Sequence, residues 1–436
     1  LPKSATCPAL LITAPASGQG KTTLVAALAR HYRQQGRRVR VFKTGPDFID
    51  PTILERASGH PVYQLDLWMV GANACRQLIY EAALEADLIL VEGVMGLFDG
   101  NPSSADLAQT FGLPLLMVID GSAMAQTFGA VALGLANYRG SLTIAGAVAN
   151  RVASPGHGVM LQQSLPVSIP WLGAFFADEE ISLPERHLGL QLADELDTLD
   201  QKLDTAAQQI AQTPLGSETL APVEFFATRT TDPDRLLEGV CIAIARDSAF
   251  CFAYPANLQL LQRLGAELRF FSPLADRDLP PADALYLPGG YPELHLPALA
   301  NNQSMLTAIS DFYHSGRPIV AECGGMLYLL NSLQNYDGER HQLCGIIDTD
   351  AQMQKRLGGL GLQGFNFSAG ELRGHTFHYS VLTSPPAFAG QAHRNESDHP
   401  GEGIIRQGQL LASFIHWYFP SNPAATANLF STNRPT

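Results

Sequence analysis

Cysteine is scarce in this chain: six residues, at positions 7, 75, 241, 251, 323 and 344, among 436. None forms a Cys-x-x-Cys pair, so neither a zinc ribbon nor a dithiol redox motif is encoded. Thiols this sparse also do not make the disulfide framework of a small secreted domain. A reducing cytoplasm is the expected compartment. No run approaches the roughly 18 uninterrupted apolar residues of a membrane span. The first apolar stretch is too short for the core of a secretory signal and leads into a glycine-bearing loop rather than a cleavage site, so export is not expected. Positive charge is also in short supply, with 28 Lys and Arg against 41 Asp and Glu and a net charge of −13. That balance disfavours general binding to nucleic acid or to an anionic membrane. It leaves room for an anionic small molecule in a local basic pocket. Internal repeats and low-complexity tracts are missing too, which argues against a solenoid.

What remains is a globular α/β pattern, long enough for two or three domains. Apolar runs at 9–13, 38–43, 87–92, 115–120 and 142–150 alternate with helical stretches up to about residue 175. Alternation of this kind predicts a doubly wound parallel sheet, with ligand residues just beyond the strand C-termini. Past about residue 200 the chain turns polar and irregular, predicting a linker over 206–238 between a domain at 1–205 and another at 239–436. Apolar runs at 240–245, 267–271, 284–287 and 318–321 predict a second α/β domain. Beyond Cys344, short strands and many glycines suggest a β-rich flap before a last strand at 411–415.

The first domain is organised around Ala14-Pro15-Ala16-Ser17-Gly18-Gln19-Gly20-Lys21-Thr22-Thr23, set between a buried strand and an apolar helix. That context makes the stretch a phosphate loop: backbone N–H groups and the helix N-terminus face phosphate oxygens, Lys21 supplies a point charge, and the Thr22 hydroxyl reaches a magnesium ion. Ser17, Gly18, Gln19, Gly20, Lys21, Thr22 and Thr23 are the expected ATP contacts. Pro15 stands where a strict motif has glycine, so the loop opens one residue earlier, as in the dethiobiotin-synthetase variant it resembles.

Two further strand ends carry acids. Lys43-Thr44-Gly45-Pro46-Asp47-Phe48-Ile49-Asp50-Pro51 puts two carboxylates in a tight turn, and Val91-Glu92-Gly93-Val94-Met95-Gly96-Leu97-Phe98-Asp99-Gly100 places an acid as a Walker-B-type magnesium ligand would be placed. Asp47 and Glu92 are therefore expected to join Thr22 around the metal, with Lys43 and Asp99 on the phosphate or substrate side. Asn150 can pair a donor and an acceptor with a nucleobase edge, or simply form a turn.

In the second domain, Pro318-Ile319-Val320-Ala321 leads into Glu322-Cys323-Gly324-Gly325-Met326 and a helical run. This is a nucleophile elbow with cysteine in place of serine, and the following helix N-terminus favours the thiolate. Gly289 and Gly290, in Leu287-Pro288-Gly289-Gly290-Tyr291-Pro292-Glu293, are the candidate oxyanion hole. His416, in Ser413-Phe414-Ile415-His416-Trp417-Tyr418, is the candidate general base.

These motifs, together with Arg373-Gly374-His375-Thr376-Phe377-His378-Tyr379-Ser380, span nearly the whole chain and resemble the cobyrinic-type glutamine amidotransferase family. The resemblance implies an N-terminal ATP-dependent amidoligase with a dethiobiotin-synthetase-like P-loop sheet and a C-terminal class I glutamine amidotransferase α/β domain. It implies ATP and L-glutamine as co-substrates, Mg2+ as cofactor, and amidation of the a and c carboxylates of a corrinoid, cobyrinate or hydrogenobyrinate, in cobalamin biosynthesis. Cys323 would release ammonia from glutamine with the help of His416, and ammonia would travel inside the protein to a corrin acyl phosphate. Arg373, His375, His378 and Tyr379 would edge the corrinoid cleft, or else brace the flap as a hydrogen-bonded cluster. Triad amidotransferases commonly carry a glutamate two residues after the histidine; here that position is Tyr418, and the third member stays unassigned. No nucleic acid or membrane partner is implied, and a homodimer is compatible with the family. Two alternatives stay open: amidation of another tetrapyrrole such as nickel sirohydrochlorin, and a P-loop switch ATPase carrying an inactive amidotransferase-like module.

Overall fold

Leu10, Leu11 and Ile12 are sealed from solvent in succession, as a strand covered by helices on both faces must be. They belong to β1 (Ser4–Thr13) in a computed structural model that describes residues 3–431 apart from 184, 187, 188, 218, 219, 230 and 231. The chain divides into two units, Leu1–Thr230 and Thr231–Thr436.

In the first unit, β1 is followed by α1 (Lys21–Gln34), β2 (Val39–Thr44), β3 (Tyr63–Leu65), β4 (Leu88–Glu92), β5 (Leu115–Asp120), β6 (Ile144–Val152) and β7 (Trp171–Phe176). Their order in the sheet is β3-β2-β4-β1-β5-β6-β7, and these pairings are parallel. The order reverses at β1, which has β4 on one side and β5 on the other. A ligand crevice opens beyond the strand ends at such a switch point, and the loop after β1 lies there. Leu24, Val25 and Leu28 of α1 pack on Leu10, Ile12, Val41 and Leu90, fixing the helix that leaves the loop.

Much of the linker expected over 206–238 is folded. The helix Leu199–Ala211 buries Ala206 and Ile210 in the core of the first unit, and the strand Pro222–Phe226 pairs antiparallel with the start of β1. The polar composition concealed short elements that each bury one face. The division between the units lies at residues 230 and 231, inside the expected span.

In the second unit, Glu267–Phe271, Cys241–Ala245, Ala284–Leu287, Ile319–Glu322 and Leu410–Ser413 lie side by side with parallel pairings. The sheet continues antiparallel through Pro400–Gln407, Gly390–Arg394, Gly359–Phe367, Gly370–His378 and His416–Tyr418. The last strand expected at 411–415 ends at Ser413, and a further strand, His416–Tyr418, follows. The Ser413 hydroxyl accepts from the Ile415 N–H at 3.1 Å, and this local bond competes with the ladder and turns the chain. Among the described residues, no helix is long and apolar enough to cross a membrane.

Candidate active sites

The loop between β1 and α1 holds Ser17, Gly18, Gln19 and Gly20, with Lys21, Thr22 and Thr23 in the first turn of the helix. The first-turn N–H groups of a helix have no acceptor within it, so they face whatever sits at the loop. Gln19 locks the loop to the sheet. Its side-chain oxygen accepts from the Asp120 N–H at 2.9 Å, and its carbonyl accepts from Asn150 Nδ2 at 2.8 Å. Asn150 thus braces the loop through its donor end instead of offering it to a nucleobase. Gly20 has φ +87°, and a methyl group there would lie 2.1 Å from Asn150 Nδ2, so the position requires glycine.

Lys21 Nζ donates to the carbonyls of Met95, at 2.6 Å, and Ala16, at 3.1 Å, holding the loop against the segment after β4. Burial pulls its pKa down. Thr22 Oγ1 lies 2.7 Å from Glu92 Oε1 and 3.2 Å from Asp50 Oδ2; its one proton serves either acceptor. Lys43 Nζ donates to Asp50 at 2.7 Å and Glu92 at 3.0 Å, with Asp47 at 3.5 Å. Burial would lower Lys43, but Asp50, Glu92 and Asp47 outweigh it and hold the ammonium well above its usual range.

Asp50, expected only as part of the turn, is the acid that lies 3.2 Å from Thr22 Oγ1. Asp47 Oδ1 accepts from the N–H groups of Ile49, at 2.8 Å, and Asp50, at 3.3 Å, which spends that oxygen on the turn. Burial and then the Asp50 charge push Asp47 up to about 7, whereas Lys43 overcomes burial and holds Asp50 below its usual value. Asp50 is therefore the turn acid that meets Thr22. Asp99 likewise closes a turn: its Oδ2 accepts from the Gly96 N–H at 3.0 Å. The donor set fits a divalent cation, because Glu92 Oε2 is buried without a hydrogen-bond partner next to the Thr22 hydroxyl, which also meets Asp50.

In the second unit, Cys323 sits between Ile319–Glu322 and the short helix Gly324–Tyr328 with φ 44° and ψ −107°, a conformation that L-residues adopt only when the surroundings impose it. Its N–H donates to the Ser413 carbonyl at 2.8 Å. Three residues beyond Ser413 stands His416, so the bend at Ser413 delivers the histidine to the elbow. A methyl group on Gly289 would fall 2.2 Å from His416 Cε1, and one on Gly324 would fall 3.0 Å from the Gly290 nitrogen. The glycine pair is therefore wedged between the imidazole and the residue after the cysteine, where amides can face an oxyanion. Burial, with Glu293 nearby, pushes the Cys323 thiol up. Burial and then His378 push His416 down to about 3. Both shifts favour the uncharged forms, thiol and neutral imidazole.

Two of the four residues expected at a substrate edge are instead buried around this pair. His375 stands opposite His416 in the strand register, stacks on it at 5.1 Å between ring centres, and shares a hydrogen bond with Tyr254 Oη through Nδ1 at 2.9 Å. His378 stacks on Phe414 and pairs with Glu402 at 3.1 Å. Both brace the histidine strand. Arg373 is partly exposed and pairs with Glu371 at 2.6 Å; Tyr379 packs edge-on against Phe377. The sequence assigned no role to Glu322, whose Oε2 lies 3.9 Å from His416 Nδ1.

Two family models match the chain, one in each unit: a CobQ/CobB/MinD/ParA nucleotide binding domain over residues 10–190 and a CobB/CobQ-like glutamine amidotransferase domain over 241–424. The chain is 57% identical over 98% of its length to a hydrogenobyrinate a,c-diamide synthase of Stutzerimonas stutzeri, of which 99% is covered. It is 54% identical over 99% of its length to the protein of that name from Pseudomonas aeruginosa, also 99% covered. A cobyrinate a,c-diamide synthase of Herminiimonas arsenicoxydans is 49% identical over 97% of this chain and 96% of its own length.

Proposed function

Because the chain belongs to the a,c-diamide synthase family of glutamine amidotransferases, we propose that it uses ATP and glutamine to convert the a and c carboxylates of a corrinoid into amides in cobalamin biosynthesis. One observation carries the reading. A single chain holds both a cysteine elbow converging with a buried histidine and a phosphate loop whose threonine meets two acids. A switch ATPase would have no use for the elbow.

In the second unit, Cys323 Sγ attacks the side-chain amide carbon of glutamine while His416 takes the thiol proton. Gly289 and Gly290 offer N–H groups to the oxyanion, and His416 returns the proton to the departing ammonia. Water then hydrolyses the glutamyl thioester, releasing glutamate and restoring the thiol.

In the first unit, the loop amides and Lys21 hold the ATP phosphates as a corrin carboxylate oxygen attacks the γ-phosphorus and ADP leaves. Ammonia displaces phosphate from the resulting acyl phosphate and forms the amide. Activation is needed because a carboxylate at neutral pH is too poor an electrophile for an amine. Thr22, Glu92 and Asp50 would hold magnesium, which when bound neutralises phosphate charge. Asp47 shapes the turn that presents Asp50, and Lys43 keeps Asp50 ionised. Use of ATP and six free cysteines fit a cytoplasmic site of action.

The higher identity to the hydrogenobyrinate enzymes favours the metal-free corrin. A substrate panel with ATP and glutamine tests the proposal. A diamide of hydrogenobyrinate or cobyrinate is expected, whereas amidation of nickel sirohydrochlorin alone contradicts it.

A further inference from the structure

Glu322 ends the elbow strand one residue before the nucleophile, and it is only 1% exposed. An ionisable side chain so deeply placed requires partners. Tyr286 Oη donates to its Oε2 at 3.0 Å, and the Trp417 N–H donates to its Oε1 at 3.2 Å. Both donors favour the carboxylate over the acid. The Trp417 bond also pins the backbone of the histidine strand to this carboxylate, since Trp417 directly follows His416. His416 Nδ1 then lies 3.9 Å from Glu322 Oε2.

Other groups pack around the imidazole as well. His375, stacked on it from Gly370–His378, is pulled well below the usual histidine range by burial and then by its neighbour His416, and its Nδ1 is engaged with Tyr254. His378 on the same strand is paired with Glu402, and Cys323 contributes a thiol. Two residues after His416, Tyr418 packs edge-on against Tyr254 at 5.5 Å.

We propose that Glu322 is the positioning acid of the cysteine–histidine pair: its carboxylate holds His416 with Nδ1–H turned toward it, which leaves Nε2 to exchange the proton with Cys323. The separation exceeds a hydrogen bond, and such contacts tighten when the reacting complex forms. Burial pushes Glu322 well above the usual carboxylate range while the Tyr286 and Trp417 donors pull against it. The imidazolium that forms with the thiolate adds a further partner that favours the carboxylate. The acid comes from the residue before the nucleophile and not from the position after the histidine. Its distance in sequence from His416 hides the relationship.

The inference rests on reading the second unit as a glutaminase, and two measurements on the full chain separate the two ideas. The first uses unmodified protein labelled with 15N-histidine, with His416 assigned by the signals lost in His416→Asn. The nitrogen shifts at pH 7.5 should be those of the Nδ1–H tautomer; the Nε2–H tautomer overturns the proposal, whether or not any variant folds. The second is Glu322→Gln. The loss of an orienting acid costs about 10,000-fold in a serine site, and the more acidic thiol should reduce this to about 10- to 100-fold in kcat for glutamine hydrolysis. KM should stay within about twofold, a loss confined to the reacting state. Ammonium-driven synthesis should persist. An unchanged kcat would show that Glu322 only supports the fold. Absence of glutamine hydrolysis in the unmodified protein would instead remove the glutaminase reading itself.

Discussion

Thr22 Oγ1 lies 2.7 Å from Glu92 Oε1, joining the first turn of α1 to the C-terminal end of β4. One hydroxyl proton faces two carboxylates there, and Lys43 is the cation that keeps Asp50 and Glu92 together. Placing this charge at the end of the phosphate loop sets up the activation half of the reaction.

Glu92→Gln and Asp50→Asn should each lower amide synthesis on the order of 100-fold, the scale of losing one electrostatic contact in a water-poor site. The loss should be equal with glutamine and with ammonium, and magnesium titration should show weaker dependence on the metal. Asp47→Asn should cost less, because that side chain acts through the turn. An Asp47 variant worse than the Asp50 variant would reverse the assignment of the two acids.

Cys323→Ala should abolish glutamine-driven synthesis and spare ammonium-driven synthesis, because the thiol serves only the release of ammonia. Failure with both nitrogen sources in a folded protein would refute the separation of roles.

The pH dependence follows from His416, which burial and His378 push down to about 3. A base is active in its neutral form, present above its pKa, so acidification from pH 7 to 5.5 should not protonate it in the free enzyme. The kcat/KM for glutamine hydrolysis should therefore lack an acid limb near the ordinary histidine value of about 6.5. A limb centred there would mean that the site is wetter than its geometry indicates.

Gly289→Ala would set a methyl carbon 2.2 Å from His416 Cε1. The ring must move, so glutamine hydrolysis should fall by at least about tenfold, given how steeply rate depends on a misplacement of about 1 Å. Ammonium-driven synthesis should stay near normal. Full glutaminase activity would show that the imidazole has room to shift without consequence.

The strand, loop and helix around Lys21, the acid at the end of β4 and the elbow at Cys323 were legible because each sits where an apolar run meets glycines or a helix start. The choice between Asp47 and Asp50 was not. Both acids lie in one turn, and which one faces Thr22 depends on Asp47 capturing the Ile49 N–H. His375 and His378 read as candidates for a ligand edge because nothing local reveals that their strand pairs with His416–Tyr418. The break at Ser413 was hidden for a related reason: the apolar run continues through Phe414 and Ile415 while a single hydroxyl turns the backbone. Asn150 was noticed for its amide, but its direction is set by the close approach of Gly20.

The most direct test follows the nitrogen atom. Hydrogenobyrinate or cobyrinate is incubated with ATP, magnesium, amide-15N glutamine and a small amount of unlabelled ammonium, and the corrin product is weighed by mass spectrometry. The account predicts two 15N amides per corrin with the unmodified protein. It predicts only unlabelled amides with Cys323→Ala when ammonium is raised, and none from either source with Lys21→Ala, whose glutamine hydrolysis persists. Label reaching the corrin in Cys323→Ala, or normal amide formation in Lys21→Ala, would contradict it.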